Sequence, residues 1–498
     1  MHLSKSDFLK YQTCPSYFWL WKHKRELVPA EDEEEVAKQR LEQGNEVERY
    51  ARQLFPDGKL VEGHNEKAKA ITESMVKDGA NTLFQATVIT DNGLLAMADV
   101  LQRDGDGWIL YEIKSTNSIK KEHYSDIAFQ RVAFETAGYN ITGTKIVHTN
   151  KDYVRGHGEI DHEKLLLVTD VGDEVTELID VIRQQIGDAL ERMNDMTEPK
   201  GCSCRLLSRG KHCPTFAYFN PDIPEYSVFD ISRMQGKKLA SLVDDEIFEV
   251  TDVPDDFKLS KNQEIQVKVA KTGEPKIDPA GIGLLLDELE YPLYFLDYES
   301  ISTALPLFAG CHPYQQIPFQ YSLHVLHEPD GELEHYEYLG RSDSENPVPE
   351  LVAAMREQIG NSGSVIVWHK SFEVGRNKEM AEMCPEYADF LHGVNDRVFD
   401  LKDIFAKQFY VHPDFRGSNS IKNVLPVLVP ELTYKTMGIQ RGDIAAVRWL
   451  DAVSNDPGGA DAQKVFADLL KYCELDTFAM VEIFKRVRSE VTYPASAG

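Results

Sequence analysis

The run "YPLYFLDYES", residues 291–300, reads as a buried strand, yet Asp297 and Glu299 stand two apart in it. Strand side chains alternate between faces, so these two carboxylates share one. Together they repel and pay for desolvation unless a cation compensates. Further along, Glu373 follows the strand-like "SVIVWH", and Tyr472 and Asp476 lie four apart in "KYCELDTFAM", on one face of a helix. Four carboxylates suit hard divalent cations, Mg²⁺ or Mn²⁺. A pair of such ions activates water and stabilises the departing oxygen of a phosphodiester. Tyr472 would orient that water, because a phenol with a pKa of about 10 is a poor base. Taken singly, Asp297 can end a strand, Glu299 can face solvent and Tyr472 can sit in a core. Their order, each at the end of a strand or on a helix face, carries the metal reading.

A second set lies in the first half. Asp99 ends "LLAMAD", and Glu112 and Lys114 share a face of the next strand, "YEIKS". Two carboxylates can hold Mg²⁺, and a lysine beside them can polarise water or stabilise a pentavalent phosphorus. Alone, a Glu-x-Lys is an ordinary exposed pair. The hairpin that brings Asp99 alongside raises it above that. Seven cysteines are too few for a disulfide scaffold in 498 residues. Cys202, Cys204 and Cys213 crowd into the polar loop "GCSCRLLSRGKHCP", and Cys14 stands alone near the start. Cys311, Cys384 and Cys473 read as buried thiols.

The elements that must hold these residues are legible in outline. "TLFQATVIT", "LLAMADVLQ" and "WILYEIKS" are strands separated by Asn-Gly and Asp-Gly turns, a hairpin signature. The helix "YSDIAFQRVAFETAG" ends at Gly138, and "TKIVHTN" is a further strand. Residues 221–288 read as a helical connecting segment broken by Pro and Gly. From residue 289 the order is a strand, a hairpin, and alternating helices and strands, an α/β pattern. The chain is long enough for two or three domains. No stretch approaches the roughly 20 apolar residues of a membrane helix, and the N-terminus is broken by Lys and Asp, unlike a signal peptide. A cytoplasmic protein without membrane partners is expected. The net charge of -28 argues against general adhesion to nucleic acid but allows a local groove.

Residues 289–490 resemble the DnaQ-like DEDD exonucleases of the RNase H-like fold, through "LDYE", "WHKSFE" and "YCELD". Tyr472 four before Asp476 is the pattern of the tyrosine subclass. Glu373 stands where that family usually has Asp. "FDLKDIF" around Asp400 and "SIKNVLPVL" with Lys422 resemble the intervening segments, so Lys422 is expected to contact a phosphate. Residues 1–220 resemble RecB-type PD-(D/E)XK nucleases through Asp99, Glu112, Lys114 and, on the following helix, Gln130. Phe134 replaces that group's Tyr, and Glu48 occupies the place of its early His. The resemblance extends to the cysteines: one early and three late is the layout of the iron–sulfur members. It implies a [4Fe–4S] cluster on Cys14, Cys202, Cys204 and Cys213, with Zn²⁺ the alternative.

The expected architecture is therefore α/β throughout. It has a PD-(D/E)XK restriction-endonuclease-like domain (1–220), a helical segment (221–288) and an RNase H-like DnaQ-type domain (289–498). The whole resembles a bacterial family that fuses these two modules. It implies a metal-dependent nuclease with 3′–5′ exonuclease activity in its C-terminal domain, acting on DNA with free or single-stranded ends in repair or defence. The alternatives are one live site with a nucleic-acid-binding N-terminal domain, or RNA processing.

Overall fold

The computed structural model describes residues 1–30 and 34–491. It divides into two compact units: Met1–Asp222 with Thr303–Tyr314, and Ile223–Ser302 with Gln315 onward.

The first unit is built on a mixed sheet. Strand β1 (Leu3–Ser4) runs parallel to the start of β4 (Leu94–Asp104), and β2 (Lys59–Leu60) runs parallel to β3 (Thr82–Ile89). Around the Asn-Gly turn β3 and β4 pair antiparallel, with Gly93 at φ 91°, a conformation that favours glycine. Strand β5 (Gly107–Lys114) is antiparallel to β4, β6 (Ile141–Thr149) parallel to β5, and β7 (Leu166–Asp170) antiparallel to β6. A parallel step needs a crossover, and helix Lys121–Thr136 provides it between β5 and β6. On the face bearing this helix, Phe8, Leu110, Phe129, Phe134 and Ile146 form the core. Phe8 and Phe129 stack at 5.2 Å. The other face buries Val47, Ala51, Phe55, Val100 and Tyr111 beneath helix Glu34–Arg52.

In the second unit, β8 (Lys276–Ile277) forms a small ribbon with β14 (Tyr410–Val411). The main sheet centres on β9 (Leu293–Ser302). On one side lie β10 (Gln316–Leu326) and β11 (Leu333–Leu339), all antiparallel. On the other lie β12 (Ser364–Val367) and β13 (Val398–Asp400), parallel to β9. The order is β11-β10-β9-β12-β13. Both faces are covered, which is why "LYFLDYE" is nearly continuous in apolar residues. Helix Ala460–Ser489 packs one face: Phe484 meets Phe295 edge-on at 5.6 Å, and Gln320 Nε2 donates to Leu469 O at 2.9 Å. Helices Val348–Gln358 and Lys370–Met383 cover the other, where Tyr298 donates to Asn377 Oδ1 at 2.8 Å.

The molecule is thus a mixed α/β protein with two mixed sheets. Among the described residues, no helix is long and apolar enough to cross a membrane.

Candidate functional site

Strand β9 brings Asp297 and Glu299 to the face under helix Ala460–Ser489, opposite Ser322 and Gln320 of β10. A bulge between Pro318 and Gln320 breaks the ladder beside Glu299, a common device for aiming a side chain. The helix supplies Asp476, and one oxygen each of Asp297, Glu299 and Asp476 lies within 4.8 Å of the others. Glu373, in the first turn of helix Lys370–Met383, is buried, and its Oε2 has no hydrogen-bond partner. Asp400 is not part of this group: it accepts from Lys370 N at 2.9 Å and Lys402 N at 3.2 Å, holding the start of the Glu373 helix. Asp297, Glu299, Glu373, Lys422, Tyr472 and Asp476 all line a cavity of about 290 Å³.

The electrostatics follow from burial. Burial, then Asp476, pushes the Asp297 carboxyl well up. Burial, then Asp297 and Asp476, does the same to Glu299 against the pull of Lys422. Glu373 is raised by burial, then by Asp297 and Glu299. Asp476 is pushed to about 6 by burial, with Tyr434 donating to its Oδ1 at 2.6 Å and restraining the rise. Burial, then Asp476, holds the Tyr472 phenol protonated. Lys422 donates to Gln440 O at 2.9 Å, so its ammonium is fixed at the cavity wall. Two contributors escaped the sequence reading. Tyr434 lies in an irregular stretch with no motif. Gly442, first residue of helix Gly442–Asn455, approaches so closely that a Cβ would stand 3.2 Å from Glu299 Oε2.

In the first unit Glu112 is buried and its partners are many. Lys5 donates to Oε1 at 2.5 Å, Lys114 reaches the same oxygen at 2.9 Å, and Gln130 donates to Oε2. Lys114 also pairs with Asp126. Asp99 Oδ2 accepts from Ile113 N at 2.7 Å. Burial raises Glu112, but Lys5 and Lys114 overcome it and hold the carboxyl at about 2. Asp99, raised by burial and then by Glu112, stands at about 7. Glu48 accepts from Gln85 and is paired with Arg52 at 2.6 Å, and its charge reaches Asp99. Asp99, Glu112, Lys114 and Gln130 are therefore brought together, and Phe134 belongs to the core. Lys5 and Asp126 were not singled out from the sequence. Asp126 is four before Gln130 on one helix, a spacing that marks a shared face. Nothing local in "LSKSD" marks Lys5. Its place follows from the short pairing of β1 with β4 and from the Ser4–Asp7 capping box.

The four cysteines meet. Cys14 sits at the junction of helices Lys5–Thr13 and Pro15–His23, and Cys202, Cys204 and Cys213 come from the loop after helix Gly172–Asn194. All four sulfurs lie within 4.8 Å of one another and all are buried, with Cys202 and Cys213 at 3.7 Å. Cys213 N–H points at Cys204 Sγ at 3.5 Å. Ser16 Oγ to Gly201 O at 2.5 Å and Trp19 Nε1 to Asp195 O at 2.7 Å tie the same two segments. This donor set fits a metal ion or an iron–sulfur cluster.

Comparison with known proteins adds similarity without an activity. Residues 294–420 match the family described as "Domain of unknown function (DUF2779)", a stretch holding Asp297, Glu299 and Glu373 but ending before Tyr472 and Asp476. The chain is 27% identical over 280 residues to "Uncharacterized protein UU173" of Ureaplasma parvum, covering 52% of this chain and 40% of that protein. It is 27% identical over 216 residues to "Uncharacterized protein MG366" of Mycoplasma genitalium, covering 40% of this chain and 32% of that protein. The matched part thus spans less than half the length of these relatives. No solved structure matches the chain. The chain is similar to a domain family of unknown function and distantly related to these mollicute proteins.

Proposed function

We propose that the protein is a metal-dependent nuclease whose working site is the carboxylate cluster of the second unit. One observation carries this reading. Asp297, Glu299 and Asp476 converge within 4.8 Å beside the orphaned Glu373 Oε2, with no lysine among the described residues salt-bridged to them, in a cavity open to a ligand. Such a set is costly without a cation and fits Mg²⁺ or Mn²⁺. Bound there, the metal would supply Lewis-acid activation of water and charge on the phosphate. The chain's own residues do the rest. Lys422 offers a fixed positive charge to a phosphate, and Tyr472, kept protonated, orients water as a hydrogen-bond partner and is no base. A sheet led by an antiparallel hairpin and continued by parallel strands supports the RNase H-like, DnaQ-type reading and a 3′–5′ exonuclease acting on DNA. The test is digestion of 5′- and 3′-labelled DNA and RNA with and without Mn²⁺. Metal-dependent shortening from 3′ ends is expected, and intact substrates under all conditions would refute it.

The first unit supports a second reading, that its PD-(D/E)XK-like site binds nucleic acid without cutting. Lys5 occupies the oxygen of Glu112 that a metal would need. Cleavage of circular single strands by the parent protein's first unit, with Asp297→Asn disabling the second, should then stay at background. Cys14, Cys202, Cys204 and Cys213 would hold either a [4Fe–4S] cluster or a single Zn²⁺. Anaerobic purification decides: a brown protein holds the cluster, and a colourless one that contains zinc holds the ion.

A further inference from the structure

A third cluster of ligand-type side chains lies in the second unit, apart from the carboxylate cavity. His324 of β10 and His335 of β11 are direct cross-strand partners with stacked rings, centroids 4.5 Å apart. Glu474, on the long helix above them, places an oxygen 3.9 Å from His335 Nδ1, and one ligand atom from each of the three lies within 4.8 Å of the others. We propose that His324, His335 and Glu474 form a binding site for a first-row transition-metal dication, with Zn²⁺ the best match to two imidazoles and a carboxylate.

Donor counting supports this. Thr477 Oγ1 has one proton and lies 3.1 Å from the backbone oxygen of Glu474, which only accepts, so Thr477 donates there. Its oxygen then accepts from His324 Nδ1 at 2.8 Å and from Ser322 Oγ at 2.7 Å. Ser322 has spent its proton, so its oxygen accepts from His335 Nε2 at 3.0 Å. With Thr477 as that donor, each ring has its hydrogen on the nitrogen facing the protein and a lone pair on the other, the tautomers a metal requires. A histidine ligand whose far N–H is anchored in this way is oriented and made more basic. On His335 the lone pair faces the carboxylate of Glu474. Two acceptors 3.9 Å apart repel, and a cation about 2 Å from each relieves them. With three protein ligands, one position remains for water. The site would clip the β10–β11 hairpin to the helix carrying Tyr472 and Asp476. It is independent of whether the carboxylate cluster cuts phosphodiesters.

The full chain tests it by titration with Zn²⁺, and with Co²⁺ as a spectroscopic probe, in excess Mg²⁺ to saturate the oxygen cage. Co²⁺ held by the four cysteines would show strong thiolate charge-transfer bands. The proposed site should add one further equivalent whose ligand-field bands lack them. In His335→Ala that equivalent should disappear. In Glu474→Gln, at an exposed position where the fold is not at stake, its affinity should fall at least about tenfold. Equal stoichiometry and affinity in all three proteins would overturn the site, as would an extra equivalent showing thiolate bands.

Discussion

In the first unit, Glu112 is met by Lys5, Lys114 and Gln130, and Lys114 by Asp126 as well. In the second, Asp297, Glu299, Glu373 and Asp476 are met chiefly by one another. Both groups start from a strand carrying functional side chains two residues apart, and both are deep enough for burial to dominate. They differ in who settles the charge. Lysines of the chain settle most of it in the first and draw Glu112 down to about 2, leaving Asp99 raised at about 7. Nothing of that strength settles it in the second, where the carboxyls are driven up. A charge set already neutral within the fold gains little from a divalent ion, and one left unbalanced gains much. On the proposed reading, metal chemistry belongs to the second unit and a held, pre-paired geometry to the first.

The largest effect should come from removing a metal ligand. Asp297→Asn is expected to lower Mn²⁺-dependent digestion by more than about 100-fold, beyond what outer-shell partners cost. Asp99→Asn should leave digestion of the same 3′-labelled strand within a few-fold of the parent. Equal losses in the two variants would break the comparison. Next, Lys5→Met should destabilise the first unit by about 2 kcal/mol. That is less than the full cost of stranding a buried charge, because Lys114 still faces Glu112. Urea unfolding measures it. The same variant should bind Mn²⁺ more tightly, since the oxygen that Lys5 held is free.

Much of this was legible in the sequence, and the reason is periodicity. The i, i+2 pairs Asp297/Glu299 and Glu112/Lys114 and the i, i+4 pair Tyr472/Asp476 declare shared faces as soon as strand or helix is assigned. The hairpin turns at Asn92-Gly93 and Asp104-Gly105 fixed where β4 and β5 run. What stayed hidden depends on long-range placement. Lys5 reaches Glu112 only because a two-residue strand pairs with β4. Tyr434 reaches Asp476 from a loop with no pattern. The His324–His335 pair depends on the β10–β11 register, and across the six-residue loop "HEPDGE" the Pro-Asp-Gly turn marks the bend without setting the alignment.

A smaller effect sharpens the second unit. Tyr434 donates to Asp476 at 2.6 Å and helps hold that carboxylate ready for a cation. Tyr434→Phe should weaken Mn²⁺ binding by about tenfold, with maximal digestion recovered at high Mn²⁺. Tyr472→Phe, by contrast, should lower the maximal rate and leave Mn²⁺ affinity near the parent, because its proposed role is to orient water. If the two variants behave alike, the division between holding the carboxylate and orienting water is wrong.

The smallest effect is a pH dependence whose sign separates the lysine-paired Glu112 from the raised carboxyls, Asp99 of the first unit among them. Asp476 stands at about 6 in the folded chain, and Asp297, Glu299 and Glu373 are raised as well, against about 4 when unfolded. The native state therefore binds more protons than the unfolded one across this window. Stability is fully present below the unfolded values and is lost as pH rises through the folded ones. Glu112 runs the other way: held at about 2, it contributes stability above its unfolded pKa and loses it only as pH falls towards 2. In a chelator, the melting temperature should thus fall as pH rises through about 6, where Asp476 stands. Mg²⁺ should abolish the shift by taking the place of those protons. A metal-free melting temperature that rises over this range would mean that the second cluster is already compensated within the fold.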